Sequence, residues 1–254
     1  MKIFKKYYKS GFALAEVLVT LGIIGVVAAL TIPILINKHQ NAVALAGIKV
    51  AYAKINDGFL FMRSDENVDD LTNLSVFKNM NQDNFTDPDI QANLDSQMKK
   101  YFSILKSYKA GESCAECPIY VQMNGSLADG GQYDYAWRGF SADGMIYYMH
   151  LNGPQVATNP GKIKSLLAYF FVDINGTKGP NKWGKDMFQY ALAQNGILYS
   201  AWGKDLSDAM PLSQTYWGRD ASGCGSPENK DVSTSTGYAC TARIIEKSWH
   251  IDYD

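Results

Sequence analysis

From Phe12 to Ile36 the chain is almost wholly apolar. From Asn37 onward the pattern changes to a single apolar stripe on a polar background. In the first stretch, about 25 residues carry one charge, Glu16, and a helix of that length reaches roughly 37 Å. A hydrocarbon core is about 30 Å thick, so the run predicts a membrane-spanning helix. In the second stretch Leu45, Ile48, Tyr52, Ile55, Phe59 and Met62 recur at spacings of three and four. Lys38, Gln40, Lys49, Lys54 and Asp57 take other faces, which predicts continuation to Arg63 with one buried stripe. Pro33 removes one backbone donor and is expected to bend or loosen this helix near Ala29.

Beyond the helix, residues 64–93 are polar and read as loop with short helical turns. Leu94, Met98, Tyr101, Phe102 and Leu105 predict a second helix over 94–108. Strands are expected at 119–123, ending in the hairpin signal Asn124-Gly125, and at 133–140 and 145–149. The run Leu166 to Val172 reads as a central strand buried on both sides. Residues 187–193 and 196–201 follow as a strand and its short return. The stretch from Cys240 to Ile251 suits either a strand or a closing helix. The fold class that results is α+β: a long N-terminal helix laid across an antiparallel sheet. Three regions follow, with 1–11 a leader, 12–63 the long helix (12–36 transmembrane) and 64–254 a globular head.

Glu16 is the odd residue in the apolar run. A carboxylate in hydrocarbon is costly, about 2.5–3.5 kcal/mol on insertion scales, and is tolerated when it has a partner. Lys9 lies seven residues away. A cut between Gly11 and Phe12 would place a new amine on Phe12, four residues before Glu16. Lys5-Lys6, Lys9-Ser10-Gly11, then Phe12-Ala13-Leu14-Ala15-Glu16, with Gly22, Gly25 and Pro33 beyond, resemble the start of type IV prepilins and type II secretion pseudopilins. The resemblance covers residues 5–36. It implies cleavage after Gly11 by prepilin peptidase, N-methylation of Phe12, and assembly through Glu16 and the Phe12 amine of a neighbouring subunit. Pro33 falls where many members of the family carry a proline. The implied partners are related pilin subunits, the peptidase, an inner-membrane assembly platform and membrane lipid. The implied location is the inner (cytoplasmic) membrane, then an extracytoplasmic fibre.

Charge sharpens this reading. The chain has 24 basic and 25 acidic residues, but Lys2, Lys5, Lys6 and Lys9 all precede the proposed cut. The remainder is therefore acidic, and it lacks the Lys/Arg surplus that phosphate binding needs, so nucleic acid is not an expected partner. Positive charge stays cytoplasmic, which orients the helix with its head outside. The four cysteines then meet an oxidising compartment, where disulfides are expected. Of the three connectivities, two local bridges, Cys114–Cys117 and Cys224–Cys240, are the expected pairing. A redox or zinc role for the C-x-x-C is the competing reading. No second C-x-x-C or nearby His supports zinc.

One head segment carries candidate chemistry. Residues 173–186, DINGTKGPNKWGKD, link two predicted strands. Asp173, Asn175 and Asp186 offer oxygens that suit Ca²⁺. The spacing is not that of an EF-hand. The resemblance adds that major pseudopilins carry a calcium-binding loop between strands of the head. A plain hairpin loop is the competing reading, since Asn-Gly and Gly-Pro-Asn are turn chemistry in their own right. No nucleophile, acid–base or phosphate-cradling motif appears, so an enzyme is not expected. His39 sits on the long helix at the membrane exit, and His150 and His250, each ending a strand-like run, read as surface or edge residues. A membrane-tethered ligand- or carbohydrate-binding module, suggested by the five tryptophans, is the alternative to a fibre subunit.

Overall fold

The computed structural model describes residues 13–81, 83–128, 131–155, 166–194, 196, 198–200, 223–225 and 233–253. By contact density the chain divides into two units, Met1–Val43 and Ala44–Asp254. One helix, α1 (Leu14–Glu66), accounts for 53 residues. It is the one helix among the described residues long and apolar enough to cross a membrane. Within the first unit its apolar side chains are exposed, Leu14, Ile24 and Leu35 among them. Pro33 lies inside α1, and the helix is unbroken through it. The proline removes one donor, while the i to i−4 bonds of the flanking turns hold the helical path.

In the second unit α1 changes role. Ile48, Ala51, Ile55, Gly58, Phe59 and Met62 are buried. Leu45 and Tyr52, predicted for the same stripe, pack against the core as half-buried residues. Phe59 meets the rings of Phe102 and Phe170 edge-on, with centroids 5.6 and 5.5 Å apart. Gly58 lets α2 approach, because a Cβ there would lie 2.5 Å from Phe102 Cζ.

Helix α2 spans Pro88–Phe102. Its start is set by Asp87, whose carboxylate accepts the N–H groups of Asp89 and Ile90 at 2.9 and 3.3 Å. Proline at the first helical position completes a standard helix opening. The predicted span 94–108 is wrong at both ends. Ser103 adopts a left-handed conformation, φ 53°, which ends the helix. Residues Ile104–Tyr108 then form strand β1.

The sheet has six strands among the described residues, in the order of the chain: β1, β2 (Trp137–Ser141), β3 (Ile146–Gln155), β4 (Leu166–Asp173), β5 (Met187–Ala193) and β6 (Leu198–Ser200). Every pairing is antiparallel. The fold is thus α+β, a long apolar N-terminal helix followed by an antiparallel sheet. Strand β4 is central, flanked by β3 and β5, and its two faces enter two clusters. Ala168, Phe170 and Val172 join the main core with α1 and α2. Phe171 joins a second cluster of Tyr120, Tyr133, Tyr148 and Trp183 on the other side. The predicted strand at 119–123 is instead two isolated bridges at Val121, to Leu127 and Lys182. The closing stretch resolves to helix α3 (Cys240–Glu246), whose Ala242 and Ile244 enter the main core.

Candidate functional site: the start of α1 and the 173–186 loop

The first candidate site is the N-terminus of α1. Gly11 and Phe12, the proposed cleavage and methylation residues, lie outside the described residues. Ala13 precedes the helix, and its carbonyl accepts the N–H groups of Glu16 and Val17. The Glu16 side chain turns back, and its Oε2 accepts the Ala13 N–H at 3.0 Å. This is half of a capping box: a glutamate three residues in satisfies a backbone donor the helix cannot. A negative group in the first turn also suits the positive end of the helix dipole. The other carboxylate oxygen makes no hydrogen bond among the described residues, and Glu16 is exposed. The capping role was readable from the spacing of Ala13 and Glu16, but Ala at the cap position gives no signal of its own.

The solvent side of α1 in the second unit is the second feature. Ala46, Val50, Ala53, Asp57, Leu60 and Phe61 are exposed. At 100° per residue they fall opposite Ile48, Ala51, Ile55, Phe59 and Met62. Leu60 and Phe61 are 58% and 59% exposed. A surface helix normally turns charged residues to water; this one turns aliphatic and aromatic residues, with Asp57 among them.

The third feature is the 173–186 loop between β4 and β5. Asp173 and Asp186 are both buried. Asp173 Oδ1 accepts the N–H groups of Asn175 and Gly176 at 3.0 and 2.8 Å. Its Oδ2 accepts the Tyr120 hydroxyl at 2.7 Å. Asp186 receives the N–H groups of Asn181 and Lys182 at 2.7 and 2.5 Å. The two carboxylates therefore gather the loop backbone from opposite ends. Burial, followed by the charge of Asp186, pushes the Asp173 carboxyl up to about 8 despite its hydrogen bonds. Burial also raises Asp186, against the hydrogen bonds from Lys182, Asn181 and Asn175. The structure thus brings Asp173, Asn175 and Asp186 to one place. The donor set is all oxygen, which suits a hard divalent cation of the calcium class rather than zinc or copper. Among the described residues no group of three or more His, Cys, Asp or Glu is assembled. Any cation here would lean on amide and carbonyl oxygens as well as on the two carboxylates.

The cysteines are paired as Cys114–Cys117 and Cys224–Cys240, with Cα atoms 5.4 and 4.9 Å apart. All four are buried. The short bridge is held in place by neighbours. Gln132 donates to the carbonyls of Cys114 and Cys117 at 3.3 and 2.9 Å. The buried Arg138 reaches the carbonyls of Lys109 and Glu112 just before it. His150, expected at a surface or edge, lies instead within β3 between two neighbouring strands, half-buried between the rings of Phe85 and Tyr135, and burial pushes its pKa down. Trp137 and Trp183 are core residues, exposed by no more than 1%. Trp202 and Trp217 lie outside the described residues. A comparison of the chain with family models, curated proteins and solved structures finds no match.

Proposed function

We propose that this chain is a structural subunit, a pilin or pseudopilin, processed after Gly11 and assembled through α1 into a type IV pilus or a type II secretion pseudopilus. The single observation that carries this reading is the character of α1 along its length. Its first part is apolar all round. Its second part buries one face in the head and leaves the opposite face apolar, at Val50, Leu60 and Phe61. A simple anchor needs only the first of these properties. A helix that packs against copies of itself needs both, because apolar side chains there exchange water or lipid for neighbouring stems.

Glu16 fits this role. Its capping bond uses one carboxylate oxygen, and the other is open to an amine on the next subunit. The two functions separate by substitution. Glu16→Gln keeps a neutral oxygen that can accept the Ala13 N–H but removes the charge. Glu16→Ala removes both. If charge pairing drives assembly, both variants are cut normally and neither assembles. If the cap alone matters, Glu16→Gln assembles like the parent chain, and the pairing role is lost. Mass spectrometry of the exported protein tests processing: the expected N-terminus is a methylated Phe12. A chain still beginning at Met1 sinks the proposal. Of the described tryptophans, Trp137 and Trp183 are buried in the core and the half-buried Trp249 meets the Tyr52 ring of α1 edge-on, so packing accounts for all three.

A further inference from the structure

We infer that neighbouring stems stand parallel and staggered, with Asp57 of one chain against Lys49 of the next. This rests on the assembly reading above and fixes the register of that contact. The charges of α1 in the second unit single these two residues out. That stretch carries Lys49, Lys54, Asp57, Arg63, Asp65 and Glu66. Lys54 pairs with Asp143, Arg63 with Asp69 and Asp65 with Lys100, and Glu66 accepts the N–H and the hydroxyl of Ser75. Lys49 and Asp57 are exposed, and neither has an ion pair among the described residues. The Lys49 ammonium lies 5.7 Å from the centroid of the Trp249 ring, a contact that steadies it without neutralising it. One uncompensated cation and one uncompensated anion are thus left on the solvent side of the helix.

Their placement makes them complementary between copies. Asp57 falls in line with Val50 and Phe61, and Lys49 with Ala53 and Leu60, two flanks of one face about 80° apart. A carboxylate closed between apolar stems without a cation is costly, as is an ammonium without an anion. A second copy of this chain brings both missing partners. On the assembly reading every stem is anchored by its N-terminal end in one membrane, so the stems run parallel. Parallel stems in register keep Asp57 level with Asp57 and about 12 Å along the axis from Lys49. A shift by that distance sets Asp57 of one stem beside Lys49 of the other. The same shift sets Phe61 beside Ala53, a large ring against a small side chain, which packs without strain. The acidic flank of each stem then meets the basic flank of the next. Such a contact is heterologous, and because it advances along the axis it generates an open filament instead of a closed ring. The charges choose the register, while Val50, Leu60 and Phe61 supply the apolar contact.

The test uses the full chain, with self-association read by sedimentation velocity in detergent and the fold by a thermal melt. Lys49→Glu and Asp57→Lys each set like charges against one another, and each is expected to weaken association by about tenfold or more with the melt unchanged. Carrying both changes in one chain restores opposite charges, and its association is expected to return to within about threefold of the parent. Register is read by disulfide formation in the membrane of the expressing cell. The native cysteines are all paired, so an introduced thiol reports on the contact between stems. Ala53→Cys and Phe61→Cys chains produced together are expected to link, and neither is expected to link when produced alone. Phe61→Cys chains linked to one another would place the stems in register. Ala53→Cys chains linked to one another would place them antiparallel. Either result overturns the inference, and so does a double charge variant no better than the singles. If the single charge variants associate as the parent does, the staggered pairing fails while assembly stands. A parent chain that does not self-associate brings down the assembly reading and this inference together.

Discussion

Replacing Leu60 and Phe61 together with glutamine tests the assembly reading at its most exposed point. Both side chains lie on the solvent side of α1, 58% and 59% exposed. Glutamine is nearly as good a helix former as leucine, so the helix itself is little disturbed. A surface change away from caps and ion pairs shifts stability by less than about 0.5 kcal/mol. Full burial of a Leu or Phe side chain contributes about 1.5–3 kcal/mol. With roughly 60% of each still available for burial, the pair is worth about 2–3.5 kcal/mol at an interface between copies. At 1.4 kcal/mol per factor of ten, that is roughly a 30- to 300-fold loss of association. Sedimentation velocity of the full chain in detergent, across a concentration series, reads the association, and a thermal melt by circular dichroism reads the fold. The expected result is weakened self-association with an unchanged melt. Unchanged association would refute the reasoning. So would a large drop in melting temperature, since that would mean the two side chains already support the fold of the single chain.

Three further outcomes follow from the packing. Gly58→Ala gains about 1 kcal/mol of helix propensity but forces a Cβ to 2.5 Å from Phe102, an overpacking cost of about 1–3 kcal/mol; chemical denaturation should show a net loss, and Gly58→Ala with Phe102→Leu should recover much of it. Burial raises the Asp143 carboxyl, but its bonds to Lys54 and Ser141 outweigh that and hold it below the usual range. The resulting stability is present above about pH 4, the ordinary carboxylate value, and is lost as pH falls through the lowered one. Since Lys54 is 40% exposed, it amounts to less than about 1 kcal/mol, and Lys54→Met should flatten that part of a stability profile between pH 6 and pH 2. Replacing Cys224 and Cys240 by alanine opens a bridge with a sequence separation of 16 and should cost about 3 kcal/mol; opening Cys114–Cys117, separation 3, should cost roughly half that in the same denaturation assay.

Much of this architecture was legible because its signals are long. The apolar run and the stripe that follows it predict α1, and the run of Leu166 to Val172 marks β4 as the strand with two buried faces. What failed was local. Leu105 extended the periodicity of α2 by chance, yet it is an outward-facing residue of an edge strand. The true break is the left-handed Ser103, and serine does not announce that conformation. The true start, Asp87-Pro88, was written plainly in capping residues but sat inside a stretch read as loop. Tyr120 was taken for part of a strand, whereas it anchors the second cluster through a single bridged neighbour, Val121. In the loop, Asp173, Asn175 and Asp186 stood out by residue type.

The aromatic wealth of the head gains a physical reason from the same loop. Tyr120 donates to Asp173 and lies 3.0 Å from the Tyr148 hydroxyl. Trp183, a loop residue, donates to the Tyr133 hydroxyl at 2.7 Å and meets the rings of Phe171 and Tyr238 edge-on. A leucine core of equal volume could fill this space but could not reach a buried carboxylate with a donor. Tyrosine and tryptophan do both at once, since each buries a large ring and carries a polar tip that must find a partner. The second cluster therefore positions Asp173 from the sheet side, while Ile174 and Gly47 hold the loop against α1 from the other. On this view the tyrosines are not a binding surface in their own right. They fill the space behind the loop and give the buried Asp173 carboxylate a hydroxyl donor.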